Sequence, residues 1–264
     1  MKRSRMTLPF LGLIVLVAAP FAVELVAPGT VTEKNLLRIG GPGKTLLLAI
    51  AAVLAWRNAA AFDRGTRVRS GWLFLFAGLC LFGLGQGSLV VNQLTHNQSV
   101  LFPSPSDILF LLSYPAFIAA LALFLRAYAD SGLPMGDAGG RRMLVGVTAL
   151  LSAVIAAAAL RPILLYDAPT TEKALNAAYT LCDFVMLIPT VLLLRMTLRF
   201  PGGAVWRVWI AVLGGFLALC AGDVLFAYST TVGLGRFEPL MDLAYIVAYG
   251  LLALGMAYQR ELLA

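Results

Sequence analysis

Four aspartates stand where a long apolar sequence has least reason to put them. Asp107 opens one hydrophobic run, Asp242 opens another, and Asp183 and Asp223 lie within two more. Aromatic residues keep fixed spacings from them. Phe110 and Tyr114 follow Asp107 at three and seven positions, and Tyr245 and Tyr249 follow Asp242 in the same way. Tyr179 precedes Asp183 by four. A helix advances about 100° per residue, so each set lies along one helix face. Carboxylates grouped this way suit a cation, an amine or another hydrogen-bonding partner, and tyrosine adds an apolar wall with a hydroxyl. For Asp107 a local role is also open. In Ser104-Pro105-Ser106-Asp107 the serine fits an N-cap, the proline the first helical residue, and the aspartate the third. Nucleophilic catalysis finds little support, because no serine–histidine system is visible and His96 is the single histidine. Cys80, Cys182 and Cys220 sit in apolar runs and read as small hydrophobes. Neither a metal site nor a cofactor is expected.

The elements that must hold these residues are membrane helices. Of 264 residues 60% are hydrophobic and 12% charged, about half the charge of an ordinary soluble domain, and the mean hydropathy is +0.88. Apolar runs of about 20 residues mark spans. Eight are predicted, at 7–27, 44–62, 71–94, 106–128, 142–160, 174–198, 205–229 and 240–259. The first has a basic head like a signal peptide, yet Pro20 interrupts the expected cleavage region and a retained helix is favoured. With the N-terminus inside, the inner loops and helix ends hold fourteen of the 20 Lys and Arg residues and the outer ones six. This bias predicts cytoplasmic termini. It also accounts for the net charge of +7 without a nucleic acid partner.

Helices 3–4 resemble helices 7–8. Aligning Trp72 with Trp209 brings Gly85 onto Gly222 and Gln86 onto Asp223. A two-residue gap then brings Asp107, Phe110 and Tyr114 onto Asp242, Tyr245 and Tyr249. In the second copy Pro239 lies three residues before the aspartate, so the cap spacing is lost while the aspartate–aromatic pattern persists. The expected fold is therefore all-α and polytopic, about eight transmembrane helices arranged as two parallel four-helix repeats. They span residues 1–130 and 142–264, with a flexible cytoplasmic linker at 131–141. Such repeats often place binding sites between the halves. The candidate ligand-binding residues are Asp107, Phe110, Tyr114, Tyr179, Asp183, Asp223, Asp242, Tyr245 and Tyr249, lining a cavity open to the outer face. Glu24, Gln86 and Asn92 read as helix ties.

One motif misleads. GPGKT at 41–45 resembles the end of a phosphate-binding loop, but the glycine required five residues before Gly43 is Arg38. The segment is expected to be an outer Gly/Pro turn that starts the second helix.

FPSPSDILFLLSYP at 102–115, with the later GDVLF at 222–226, resembles the multi-helix membrane input module of bacterial GGDEF and EAL diguanylate cyclase and phosphodiesterase proteins. Asp107, Phe110, Tyr114 and Pro115 match one motif of those modules, and Asp223 and Phe226 match another. The likeness spans roughly residues 71–259. It implies a sensory membrane module of the bacterial inner membrane with an unidentified small ligand, membrane lipids around it, and a cytoplasmic or membrane signalling partner. No G-G-D-E-F motif is present, so cyclase activity does not carry over and no enzymatic role is expected. The alternatives are a small-molecule transporter, or a membrane hydrolase similar to the lysoplasmalogenases, whose acidic residues the GDVLF run loosely resembles.

Overall fold

The computed structural model describes residues 7–96, 102–132, 137–165, 167, 169–198, 201–232 and 238–263. Lys2, Arg3, Arg5, Arg199, Arg236 and linker residues 133–136 fall outside them. Among the described residues eight helices make up the architecture: α1 (Thr7–Val26), α2 (Glu33–Ala60), α3 (Arg67–His96), α4 (Ser106–Asp130), α5 (Ala138–Leu165), α6 (Thr170–Thr197), α7 (Ala204–Val232) and α8 (Glu238–Leu262). Each contains a segment long and apolar enough to cross a membrane, so the chain is an all-α, multi-pass membrane protein. The helices run about a turn beyond several predicted spans. In hydrocarbon every backbone polar group needs an internal partner, which favours helix continuing to the interface.

The same physics corrects the reading of residues 39–43. They do not form an outer turn that starts the second helix. Helix α2 begins at Glu33 and continues through Pro42. Gly40, Gly41 and Gly43 are buried there, and they serve close packing. A β-carbon at Gly43 would fall 2.5 Å from Val17 of α1, and one at Gly41 would fall 2.8 Å from Val90 of α3; Phe21 of α1 lies against Gly40. A continuous helix leaves no loop of backbone amides to cradle a phosphate. It also places Lys44 on a helix face.

Neighbouring helices interlock through small residues, as expected where lipid provides no hydrophobic drive between them. Along α3 and α4 three glycines meet three phenylalanines in an antiparallel ladder. A β-carbon would fall 2.7 Å from Phe124 at Gly71, 2.5 Å from Phe117 at Gly78 and 2.8 Å from Phe110 at Gly85. Between α7 and α8, Gly215 meets Leu252 and Gly222 meets Tyr245, each at 2.8 Å. Trp72 and Trp209, each near the start of its helix, stack at 6.5 Å, with Phe124 edge-on to both. Helix α8 packs against α1 and α2, and α4 against α6, while α5 touches only α6 and α7 among the larger interfaces.

The two ends of the bundle differ. Arg57, Arg64, Arg67, Arg69, Arg126, Arg141, Arg142, Arg195, Arg207 and Arg260 mark one end. Among the described residues the other carries Lys34, Arg38, Lys44, Arg161 and Lys173. Ion pairs Arg67–Asp130 and Arg195–Asp137 join helix ends at the basic side.

Candidate functional site

The less basic end holds a cavity of about 520 Å³, within the usual range of about 300–1,000 Å³ for small-molecule sites. Helix α4 contributes first. Asp107 is buried, and its Oδ2 accepts hydrogen bonds from the Ser104 backbone N–H at 2.6 Å and the Ser104 hydroxyl at 3.0 Å. This is the reciprocal half of a capping box, so the local role is real. The other oxygen, Oδ1, accepts from the Tyr179 hydroxyl of α6 at 2.7 Å. Asp107 therefore caps its own helix and ties it to another.

Seven residues further along α4, Tyr114 is fully buried. Its hydroxyl lies 3.1 Å from Asp183 Oδ1 of α6 and in closer contact with Asp223 Oδ2 of α7. The Tyr245 hydroxyl of α8 donates to Asp223 Oδ1 at 2.7 Å. Four helices thus converge on two carboxyl groups. A phenol has one proton to give, so Tyr114 cannot donate to both. Asp183 Oδ2 is buried with no hydrogen-bond partner among the described residues.

The second aspartate–aromatic set behaves differently from the first. Asp242 pairs with Lys44 of α2 at 2.5 Å, and this ammonium lies 6.0 Å from the centre of the Tyr245 ring. Tyr249 stacks on Tyr245 at 6.0 Å and meets Phe82 edge-on at 5.7 Å. Phe110 packs on Phe82 at 4.7 Å and supplies wall, not polarity.

Of the nine residues singled out in sequence, Asp107, Phe110, Tyr179, Asp223, Asp242, Tyr245 and Tyr249 line the cavity. Tyr114 and Asp183 lie behind this lining and bond to it through Asp223. The lining also holds residues that sequence reasoning passed over. Lys44, expected in a turn, is one of them. Gln86, which reads in sequence as a helix tie, is buried against the cavity. Glu24, also expected to tie helices, lines the cavity and closes the turn after α1, accepting from the backbone of Gly29 at 2.6 Å and Val31 at 2.8 Å. Asn176 is 1% exposed and lines the cavity, and neither atom of its amide has a partner among the described residues. Its signal in sequence was visible: Asn176, Tyr179 and Asp183 follow at three and four residues on one face of α6.

Among the described residues six carboxylates line the cavity (Glu24, Glu33, Asp107, Asp223, Glu238 and Asp242) against a single cation, Lys44. A chain with a net charge of +7 thus concentrates acidity at one place. Among the described residues no three His, Cys, Asp or Glu side chains gather as a metal site, and the cysteines are free thiols.

Fold and site together define a polytopic helical membrane protein with an acidic, aromatic-walled cavity above a buried carboxyl–tyrosine cluster. No protein-family model, curated protein or solved structure matches the chain.

Proposed function

We propose that this protein is a sensory, ligand-binding membrane module. In this reading it resides in the bacterial inner membrane with both termini cytoplasmic and its cavity open to the outer face. Its motifs resemble those of the input module of GGDEF and EAL proteins, and its output passes to a signalling partner. The observation that carries the proposal is the unpaired Asn176 amide. A buried amide without partners costs about 1–3 kcal/mol, and it lines a cavity large enough for a small molecule. A bound molecule with complementary donors and acceptors would recover that cost.

Two further observations support the reading. Behind the cavity, Tyr114, Phe117, Phe216 and Trp72 are each no more than 1% exposed. That closed packing favours binding over passage to the basic end. The contacts Gly85–Phe110 and Gly222–Tyr245 fall at aligned positions, as do Gly78–Phe117 and Gly215–Leu252. They support a duplicated four-helix unit with the site between its copies.

The test is native mass spectrometry on gently solubilised protein, wild type beside the Asp223→Asn/Asp242→Asn variant. A small molecule retained by the wild type alone is expected. Equal retention by both proteins, or none by either, counts against the cavity as a binding site.

A further inference from the structure

Resting on the ligand-binding reading, we propose that the cavity takes a primary or secondary ammonium group, and that Lys44 is a tethered internal competitor for its seat. The seat is built from α8. Asp242 provides the carboxylate and the Tyr245 ring provides a π-face, with Tyr249 stacked behind it. A carboxylate with an adjacent aromatic face is a favourable environment for an alkylammonium ion. The chain's own ammonium already occupies it: Lys44 Nζ sits 2.5 Å from Asp242 Oδ1, and the two side chains are 13% and 23% exposed.

The lysine reaches this seat from a different helix, so the contact is also a tie between α2 and α8. The rest of the cavity has places for a second part of the ligand. The Asn176 amide offers an unused donor and an unused acceptor, which suits a hydroxyl, amide or second amine on the incoming molecule. Ammonium binding at Asp242 would release Lys44 into a cavity that keeps several other carboxylates. The displaced charge therefore stays compensated: the cavity gains one positive charge with the ligand, and its carboxylates outnumber the two ammonium groups. Loss of the α2–α8 tie is then the conformational signal, carried by the helix that ends at the basic side near Arg260.

The experiment uses the full chain in detergent micelles and three probes of similar shape: 2-phenylethylamine, 3-phenylpropanol and 3-phenylpropanoate. Affinity is measured by calorimetry. The amine should bind at least about tenfold tighter than the alcohol or the acid. Lys44→Met should tighten amine binding by about tenfold, the gain expected if the lysine occupies the seat in about nine molecules of ten. Lys44→Arg, which keeps a competitor, should stay within about threefold of wild type. Asp242→Asn should weaken amine binding by at least about tenfold. The Lys44→Met/Asp242→Asn variant removes both charges, so no unpaired ion is left to disturb folding, and it should remain weak. Gel filtration checks that each variant is intact. Weaker binding in Lys44→Met, or an amine bound no better than the alcohol or acid, overturns the proposal. Binding of the alcohol or acid instead leaves the cavity as a site and refutes only the amine. If none of the three binds, the ammonium seat is refuted, and the native mass spectrometry comparison decides separately whether the cavity binds anything.

Discussion

Replacing Tyr114 by phenylalanine isolates the cluster at the centre of the site. The ring is fully buried and stays in place, so no cavity opens. Only the hydroxyl is lost, together with its contacts to Asp183 and Asp223. A typical buried hydrogen bond contributes about 1 kcal/mol, and about 1.5–3 kcal/mol when one partner is charged. Within membranes measured side-chain bonds average about 0.6 kcal/mol and reach about 1.7 kcal/mol. Two contacts, one of them very close, then give a loss of about 2 kcal/mol. Asp223 is left with Tyr245 at 2.7 Å, whereas Asp183 loses a bond while its Oδ2 is already without one. Donor counting adds a sign test. Because Tyr114 gives its one proton to Asp223, the contact with Asp183 needs a donor on the Asp183 side. Asp183→Asn supplies it as an amide N–H. That variant should be within about 0.5 kcal/mol of wild type, the range of substitutions that disturb no special feature. Asp223→Asn should cost at least about 1 kcal/mol, because its side chain accepts from two tyrosines. Stability is read from reversible SDS-driven unfolding in mixed micelles. A change below about 0.3 kcal/mol for Tyr114→Phe, inside the usual error of additivity, refutes the bridge. So does an Asp183→Asn variant less stable than Asp223→Asn.

Other predictions use different parts of the molecule. Asn176→Leu should raise stability by about 1 kcal/mol, since it removes two buried unpaired polar atoms, while lowering retention of any native ligand; a destabilised variant would show that the amide has a partner. Gly85→Ala and Gly222→Ala should each cost about 1–3 kcal/mol by overpacking, because each new methyl falls 2.8 Å from a ring. Phe110→Leu should recover part of the first, as a double-mutant cycle would record, and additive effects would refute the contact. Topology is checked after replacing Cys80, Cys182 and Cys220 by alanine. A cysteine at Gly29 should then react with impermeant maleimide from outside the cell and one at Gly65 should not, because those turns lie at opposite ends of the bundle.

Composition and run length establish a polytopic helical protein with eight candidate spans, and they single out its polar residues. Those properties are local: run length sets whether a segment can cross a bilayer, and a carboxylate in an apolar run is conspicuous without knowledge of its neighbours. Asp107, Tyr114, Asp183 and Asp223 were therefore visible. What tertiary structure alone decided was how they meet. Sequence could not divide Asp107 between cap and tie, because its two oxygens answer to different helices, Ser104 nearby and Tyr179 seventy-two residues away. Nor could it read residues 39–43, where glycine and proline ordinarily end a helix in water. There the demand for internal backbone hydrogen bonds, and the close approach of α1 and α3, carry the helix onward. That single difference moves Lys44 from a loop to the cavity and sets it against Asp242, 198 residues distant. An ion pair between remote helices has no periodicity and no spacing rule, so only the packed bundle could disclose it.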